Sequence, residues 1–352
     1  MRNLFTAAKP QAAPAPTWVI AEVSANHNQD VERAEAIIRA AAACGADAVK
    51  LQTYTADTMT IPCDNKYFRI EGTLWKGRTL HDLYQEAYTP WEWHPRLMGL
   101  AEELGMACFS TPFDASAVDF LEGLNVPCYK VASFEVADIS LLKTIAATGK
   151  PVIMSTGMAT LAEIAEAVTT LRENGTKELA LLKCTSAYPA PPEEANLRTI
   201  PHLAQTFNCV AGLSDHTMGS AVAITAVALG ARIIEKHFTV SRADEGPDSA
   251  FSMEPEEFAQ MVKDIRAAEK ALGHVKYSLT EKEKESVVFR RSLFVVKDVR
   301  IGEPFTPENV RCIRPGYGLP PRYYDEILNK KSTHNITAGT PLTWEHLFQT
   351  NE

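Results

Sequence analysis

The sequence lacks several features that would place it in a common class of proteins. No stretch approaches the roughly 18 consecutive apolar residues that cross a bilayer, so no membrane-spanning segment is predicted. The seven cysteines form no CxxC pair, and most lie in apolar strings, which predicts reduced core thiols in a cytoplasmic protein. No GxGxxG motif follows any predicted strand, which argues against a dinucleotide-binding open sheet.

An excess of positive charge is also missing. The chain carries 35 Lys and Arg against 44 Asp and Glu, a formal net charge of −9. Because general nucleic-acid binding depends on a basic surface, we expect no nucleic-acid partner. An anionic substrate would have to be held by a few local cations against the overall field.

The first 17 residues, rich in Ala and Pro, lack the continuous apolar core of a secretory signal. We expect residues 1–17 to form a flexible arm, and the sequence assigns this arm no role.

From residue 18 onward, short apolar runs alternate with helical patterns. One predicted helix carries Ala34, Ile37, Ile38 and Ala41 on a single face. Glycines just past predicted helix ends mark left-handed caps at positions 45, 105, 149, 175 and 230. The predicted strands cover residues 18–26, 48–54, 107–113, 128–136, 151–157, 179–188, 210–217 and 233–240.

Eight strand–helix units in about 255 residues match the count and size of a (β/α)8 TIM barrel, an α/β fold. A doubly wound sheet is the alternative, but polar residues recur at the C-terminal ends of nearly all eight strands, as a barrel active site requires. We expect the barrel over residues 18–275. Residues 55–95 are the longest interruption and are predicted to form an insertion over the mouth.

The alternation of apolar runs and helical patterns ends at a charged segment, TEKEKES (280–286). We expect a linker over 276–290 and a small β-rich domain over 291–352. The segments VRIGEPFTPENV and ITAGTPLTWEHL begin 37 residues apart and share Gly, Pro, Thr and Glu at matching positions. Each predicts a tight turn with a Thr helix cap, at Thr306 and Thr343. A domain of about 60 residues is marginal alone, so it is expected to dock on another surface.

Charged side chains occupy a predicted interior face. Glu22, Ser24 and Asn26 alternate on the first strand with Ile20 on the same face, which places this face inside the barrel. A carboxylate there must be paired or functional, and a purely structural ion pair is the alternative for Glu22.

Two lysines point to an anion site. Lys50 and Gln52 share a face of the second strand, and Lys130 opens the fourth. Lysines aimed into one mouth suit a phosphate or a carboxylate. Hydroxyl donors at other strand ends extend the predicted phosphate site: Ser110, Thr111, Ser133, Ser155, Thr156 and Ser186.

The position of Glu135 conflicts with simple alternation. Lys130 and Glu135 differ by an odd number of residues, so they lie on opposite faces of a continuous strand. Both can face the mouth only if the strand bulges or has ended near Ser133. We expect one of these arrangements.

A pair of histidines gives the sharpest metal signal. His216 in GLSDHT and His237 in IEKHF lie at the ends of adjacent predicted strands. Glu235 shares a face with His237, and Asp248 follows in a loop. Two histidines with open positions predict a catalytic metal site, with two unrelated hydrogen-bonded histidines as the alternative.

Two further residues are candidates by position. Tyr188 lies in SAYPAP at the predicted mouth, although such a tyrosine is more often a packing residue. Arg314 precedes a Gly-rich turn in the small domain, which could bring it to an active site by docking.

These segments resemble the sialic acid synthase family of nonulosonate synthases. The matching strings run in order through nearly the whole chain and include AEVSANHNQD, GADAVKLQTY, YKVASFE, LLKCTSAYPAP, GLSDHTMGS, IEKHFT and GPDSAFS. RRSLFVVKD and RPGYGLPP are similar to the antifreeze-like (SAF) domain of that family. Within the family, the insertion and KCTSAYP resemble the pseudaminic acid synthase branch most closely, since N-acetylneuraminate synthases usually have Asn at position 186 and Gly at position 24.

The resemblance implies a reaction and an acceptor. Family members condense phosphoenolpyruvate with the open-chain form of an amino sugar and release phosphate through C–O cleavage. In the closest branch the sugar is 2,4-diacetamido-2,4,6-trideoxy-L-altrose.

The resemblance also implies roles. His216 and His237 would bind Mn2+, with Mg2+ or Co2+ as other possibilities. Glu135 would manage the proton of the attacking water, and Glu22 and Arg314 are further catalytic candidates, Arg314 acting with Phe289 across a domain-swapped homodimer. Phosphoenolpyruvate would be held by Lys50, Thr111, Lys130, Ser133, Ser155, Ser186 and Ser214, and the sugar by Glu22, Tyr188, Glu235 and Asp248.

Other functions remain open at this point. An N-acetylneuraminate or legionaminate synthase would use the same chemistry on another amino sugar. A metal-dependent barrel aldolase would use pyruvate, which needs no phosphate site. A sugar- or ice-binding protein built on the terminal module would leave the two histidines unexplained.

Overall fold

A computed structural model of the chain describes residues 16–71 and 75–347. The chain divides into two compact units, Met1–Gly273 and His274–Glu352. Most of the predicted arm lies outside the described residues. Thr17, which the sequence places in the arm, is buried and donates its backbone N–H to Glu269.

The first unit is a closed barrel of eight parallel strands in sequential order, with β1 paired to β8. This confirms the predicted fold. The strands are β1 Trp18–Glu22, β2 Ala48–Thr53, β3 Ala107–Pro112, β4 Tyr129–Val131, β5 Val152–Ser155, β6 Leu179–Cys184, β7 Val210–Asp215 and β8 Ile233–His237.

In the described part of this unit, ten α-helices accompany the strands. They are α1 Val31–Ala43, α2 Ala56–Met59, α3 Leu80–Ala87, α4 His94–Glu103, α5 Ala115–Gly123, α6 Ile139–Ala147, α7 Leu161–Glu173, α8 Thr199–Phe207, α9 Ala221–Ala228 and α10 Pro255–Leu272.

The sequence determines where these helices begin and which face they bury. The four residues predicted for the inner face of α1 are all buried in the core. Asp30 caps α1 by accepting from the backbone of Glu32, and Thr160 and Glu163 form a reciprocal capping box on α7. The five predicted cap glycines all have positive φ, as a left-handed helix end requires.

The lower part of the barrel interior is filled by apolar side chains. This cluster, the lower layer, comprises Trp18, Ile20, Ala48, Phe109, Cys128, Ile153, Ala180, Leu182, Val210 and Ile233. Because side chains alternate along a strand, the residue two positions further on points into the barrel one layer higher. Polar groups therefore follow apolar ones toward the C-terminal ends of the strands.

The long interruption after β2 contains α2 and α3, followed by a 3-10 turn at Trp91–Trp93. Thr79 caps α3 by accepting from the backbone of Asp82. Several side chains of this segment line the cavity described below, which confirms the predicted insertion over the mouth.

The second unit contains α11 Glu281–Ser286, β9 Ser292–Val295, β10 Val310–Ile313 and α12 Tyr324–Ile327. The two echoing segments meet in an antiparallel bridge between Val299 and Ile336. A separate small core includes Leu293, Val295, Phe305, Val310 and Leu342. Within residues 16–71 and 75–347, no helix combines the length and the apolarity needed to cross a membrane.

Candidate active site

A cavity of about 460 Å³ opens at the C-terminal ends of the barrel strands. This is the end at which TIM barrels carry their active sites. Twelve of the predicted site residues line it: Glu22, Lys50, Lys130, Ser133, Glu135, Ser155, Tyr188, Ser214, His216, Glu235, His237 and Asp248. Ser24, on the predicted interior face of the first strand, lines it as well.

Lys50 is the centre of the first charge cluster. Its Nζ lies 2.7 Å from Glu22 Oε2 and 3.8 Å from Glu235 Oε1, and it donates to Thr111 Oγ1 at 3.2 Å. Gln52 donates to Glu22 Oε1 at 2.8 Å. Glu22 is therefore ion-paired with Lys50, as the structural interpretation requires, and it also lines the cavity.

Lys130 forms the second cationic position. Its Nζ donates to Ser155 Oγ at 2.6 Å and to the carbonyl of Val131 at 3.0 Å, and it lies 3.9 Å from Glu235 Oε1. Ser214 donates to the same Glu235 oxygen at 3.2 Å. The two ammonium groups thus flank one carboxylate, and both remain within reach of an anion in the cavity.

Burial and neighbouring charges shift the pKa values of these groups in different directions. Burial raises the pKa of Glu22 to about 7 even though Lys50 opposes the shift. Burial also acts to raise the pKa of Glu235, but Lys130, Lys50 and His216 outweigh it and hold that pKa below its ordinary value. Burial lowers the pKa of Lys130, and Lys50 adds to this effect. Burial therefore favours the neutral forms of Glu22 and Lys130, whereas the nearby cations keep Glu235 ionised.

Glu135 reaches the mouth because its strand has already ended. β4 stops at Val131, and a 3-10 turn at Ser133–Glu135 follows. Glu135 Oε2 is buried without a hydrogen bond from the described residues. Burial raises the pKa of this carboxyl to about 7. A carboxyl group that titrates near neutrality can accept and return a proton.

The hydroxyl residues differ in their access to the cavity. Ser133 Oγ accepts from the backbone N–H of Gly157 at 3.0 Å. A Cβ on Gly157 would lie 2.3 Å from Ser186 Oγ and 2.8 Å from Ser133 Oγ, so glycine is required for the two hydroxyls to approach each other. Ser186 and Thr111 are not among the residues that line the cavity, and Thr111 instead holds Lys50.

The two histidines lie side by side, with ring centroids 5.3 Å apart. His216 Nδ1 is 2.9 Å from the carbonyl of Thr185, which places the proton on Nδ1 and leaves Nε2 free to bind a metal. Nδ1 of His237 is buried without a partner in the described chain. Burial holds the pKa of His237 well below its ordinary value, so this ring is neutral, as a metal ligand must be.

These observations fit a divalent ion held by two imidazoles with several open positions. Among the described residues, no group of three or more His, Cys, Asp or Glu side chains is placed to hold a metal ion, so the protein would supply only the two imidazoles. An open site is what a catalytic ion needs, because substrate oxygens complete its coordination.

Asp248 and Tyr188 line the same region. Asp248 accepts hydrogen bonds from the Ser24 hydroxyl and the Ala25 backbone. The ring of Tyr188 packs 4.3 Å from His216 and 6.1 Å from His237, measured between centroids. Both residues are therefore placed beside the histidine pair.

A buried ion pair lies on the outer face of the same two strands. Lys236 Nζ contacts Asp215 Oδ2 at 2.7 Å, and each side chain is 1% exposed. Lys236 also donates to the carbonyls of Thr217 and Gly219. This pair connects β8 to the loop that follows β7, and it thereby supports the position of His216.

Arg314 and Phe289 belong to the second unit, where both are exposed. The exposed fraction of Phe289 is 64%.

Several cavity residues were missed by sequence reasoning: Tyr54, Met59, Leu83, Tyr84, Phe113 and Cys184. Tyr54 and Cys184 could have been found by alternation, because they continue the inward series of Lys50 and Gln52 on β2 and of Ala180 and Leu182 on β6. The face that α3 presents could not have been assigned without the position of the insertion.

Two family models match successive parts of the chain. Residues 37–277 match the model of the NeuB family, and residues 290–347 match the model of the SAF domain.

Individual relatives align along nearly their full length. A pseudaminic acid synthase from Helicobacter pylori is 45% identical over 329 residues, which is 93% of this chain and 97% of the relative. An N,N'-diacetyllegionaminic acid synthase from Legionella pneumophila is 36% identical over 344 residues, 96% of this chain and 97% of the relative. The crystal structure of N-acetylneuraminic acid synthetase from Leptospira borgpetersenii, in complex with citrate, superposes with a TM-score of 0.69 at 33% identity, covering 78% of this chain and 90% of that one.

Proposed function

Because the chain belongs to the NeuB family and carries a SAF domain, we propose that it is a pseudaminic acid synthase. The reaction condenses phosphoenolpyruvate with 2,4-diacetamido-2,4,6-trideoxy-L-altrose and water, giving pseudaminic acid and phosphate. The 45% identity to a pseudaminic acid synthase over 93% of this chain carries the choice of sugar, against 36% for a legionaminic acid synthase.

The charge cluster supports phosphoenolpyruvate as the donor. Lys50 and Lys130 face one cavity together with the hydroxyls of Ser155 and Ser214. A metal-dependent aldolase would bind pyruvate, which carries no phosphate and needs fewer cations. Two buried lysines suit a substrate that carries both a carboxylate and a phosphate.

The condensation forms a bond between the enol carbon of phosphoenolpyruvate and the aldehyde carbon of the open-chain sugar. A water molecule then adds to the electron-deficient carbon that bears the phosphate. We propose that Glu135 takes a proton from this water, and its pKa of about 7 supports this role because the carboxyl can then titrate at neutral pH. The bond between that carbon and the bridging oxygen breaks, and the phosphate leaves with this oxygen.

His216 and His237 would hold the divalent ion, which we propose is Mn2+. The ion would supply Lewis-acid polarisation of the sugar aldehyde. The hydrogen bond from His216 to Thr185 fixes the ring orientation that this requires. Glu22, Tyr188, Glu235 and Asp248 would position the sugar.

Phosphate release tests this proposal. We expect the full-length protein to release phosphate from phosphoenolpyruvate only when Mn2+ and the diacetamido-trideoxy sugar are both present, and to stop when a chelator is added. Release with N-acetylmannosamine instead would keep the reaction class and overturn the assigned sugar. His216→Ala should abolish release while leaving the far-ultraviolet circular dichroism unchanged, and retained activity would contradict the metal assignment.

We also propose a homodimer in which Arg314 and Phe289 of one subunit reach the mouth of the other barrel. Apolar side chains around the mouth support this arrangement, since Phe134 and Met158 are each 62% exposed. Phe289 is exposed on the small unit in the same way.

A cytoplasmic location is supported by the seven cysteines, all of which are free thiols.

Subunit mixing tests the exchanged arrangement. Arg314→Ala and His237→Ala are each expected to be inactive, but mixed dimers would contain one site with both native residues. We expect partial recovery of phosphate release after mixing. Confirmed subunit exchange without recovery would contradict the proposal.

A further inference from the structure

One side of the cavity is apolar, in contrast to the charged cluster at its base. This side, the apolar wall, consists of Tyr54, Met59, Leu83, Tyr84, Ala87 and Phe113. Tyr54 ends the inward series of β2, Phe113 follows β3, and the other four belong to α2 and α3 of the insertion. No charged residue belongs to the wall.

The aromatic part of the wall is held by its own contacts. Tyr54 packs edge-to-face on Tyr84, with ring centroids 5.7 Å apart and planes at 78°. It packs in the same manner on Phe113, at 5.2 Å and 81°. These three rings come from three separate segments, so the wall is a preformed surface whose shape is fixed before a ligand arrives.

The tyrosine hydroxyls lie where the wall meets the charged base. Neither the Tyr54 nor the Tyr84 hydroxyl has a hydrogen-bond partner among residues 16–71 and 75–347. Burial raises the pKa of Tyr54, and the negative charges of Asp248 and Glu22 add to this effect. Burial and the negative charge of Glu135 raise the pKa of Tyr84 in the same way. Both hydroxyls can therefore serve a ligand that spans the two sides of the cavity.

The charges of the two substrates determine which side of the cavity each one contacts. Phosphoenolpyruvate carries negative charge on both its carboxylate and its phosphate, and burying these groups against an apolar surface is unfavourable. The base, with Lys50 and Lys130, is the favourable location for the donor. The wall is therefore left for the sugar.

The proposed sugar differs from N-acetylmannosamine at two carbons. It carries a methyl group at C6 and an acetamido group at C4, where N-acetylmannosamine has hydroxyls, and both sugars carry an acetamido group at C2. A hydrophobic surface rejects a ligand that merely adds a hydroxyl by roughly 10²-fold.

We propose that the apolar wall binds the methyl groups of the sugar and selects deoxygenated, N-acetylated sugars over hydroxylated ones. The inference rests on the proposed function, because it assigns the sugar of that reaction to one side of the cavity. Met59 is the residue of the wall best suited to a test, since it is only partly buried and does not support the barrel core.

The test compares Met59→Gln with Ile61→Gln. Both changes replace an apolar side chain of the same segment by glutamine, but Ile61 is 56% exposed and does not line the cavity. Phosphate release is measured with Mn2+ while the concentrations of phosphoenolpyruvate and of the sugar are varied in turn. Thermal unfolding of both variants provides the control for folding.

We expect Met59→Gln to raise the KM for the diacetamido-trideoxy sugar by roughly tenfold, with the KM for phosphoenolpyruvate within about twofold of wild type. Ile61→Gln should behave as wild type. The ratio of kcat/KM for this sugar to kcat/KM for N-acetylmannosamine should fall in Met59→Gln. The KM of Tyr84→Phe for the sugar measures how much of the binding depends on the Tyr84 hydroxyl.

The outcomes separate the two proposals. If the wild-type protein releases phosphate with the sugar but Met59→Gln matches Ile61→Gln, the wall does not contact the sugar and this inference is wrong. An equal rise in the KM for both substrates would also contradict it. If the wild-type protein releases no phosphate with the sugar, the proposed function itself fails, and the inference fails with it.

Discussion

The lower and upper layers of the barrel interior are built by the same strands, yet they have opposite chemistry. Ile20 lies two residues before Glu22 on β1, and Ile153 lies two residues before Ser155 on β5. The same step leads from Ile233 to Glu235 on β8. Alternation brings both layers into the interior, but only the upper layer borders the cavity.

This difference separates stability from activity. Apolar burial in the lower layer stabilises the fold. In the upper layer, burial lowers the pKa of Lys130 and raises the pKa of Glu22, so it favours the neutral form of each side chain. Keeping these two groups charged therefore reduces the stability of the fold. Substitutions in the two layers should therefore have opposite signatures.

The largest expected effect is on catalysis, from Lys130→Met. This change removes one of the two cations that we propose hold phosphoenolpyruvate, and we expect kcat/KM to fall by about 10³-fold. Stability should change little, because burial disfavours the ammonium group, while Glu235 loses one of its two cations and keeps Lys50. Phosphate-release kinetics and urea unfolding measure the two effects. A large loss of stability with normal kinetics would contradict the assignment of the upper layer to activity.

Phe109→Ala is the matching change in the lower layer. Phe109 is fully buried, so we expect a loss of about 3–5 kcal/mol in the free energy of unfolding. Activity per folded molecule should stay near the wild-type value, because Phe109 does not line the cavity. Urea unfolding gives the first quantity, and a specific-activity assay at low temperature gives the second. A selective loss of kcat would contradict the separation of the layers.

Lys236→Met breaks the ion pair on the outer face of the upper strand ends. Since Asp215 would be left buried and unpaired, we expect a loss of about 3 kcal/mol in the free energy of unfolding. Asp215→Asn combined with Lys236→Met should recover part of it, as a double-mutant cycle would show. If the double variant is no more stable than Lys236→Met, the coupling between the two side chains is absent.

The last expected effect is the pH dependence of stability that Glu135 causes. Burial raises its folded pKa from about 4.5 to about 7, so its contribution to stability is fully present below pH 4.5 and is lost as the pH rises through 7. Wild type should therefore lose stability relative to Glu135→Gln between about pH 4.5 and 7, while its activity rises over the same range. Chemical unfolding of both proteins at several pH values measures this difference, and a constant difference would contradict the raised pKa.

Much of this arrangement could be predicted from the sequence because it follows local rules. The strand order, the cap glycines and the buried face of α1 all follow from periodicity and turn chemistry. The convergence of Lys50, Lys130, Glu235 and the two histidines follows from the geometry of a closed parallel barrel.

Other features depend on tertiary placement, which periodicity does not contain. The sequence shows that Leu83 and Ala87 share a helical face, but it does not show that this face covers the cavity. It also groups Thr111 and Ser186 with the donor site, whereas the cavity lining includes neither. Their small side chains sit behind Lys50 and Gly157, and that depth is set by packing.

The most direct test of the central claim follows the bridging oxygen of phosphoenolpyruvate. With this oxygen labelled as 18O, and with Mn2+ and the diacetamido-trideoxy sugar present, the released phosphate should carry the label, because the bond between carbon and the bridging oxygen breaks. Label retained in the organic product would mean that the bond between phosphorus and oxygen breaks, and it would contradict the condensation assigned to this cavity.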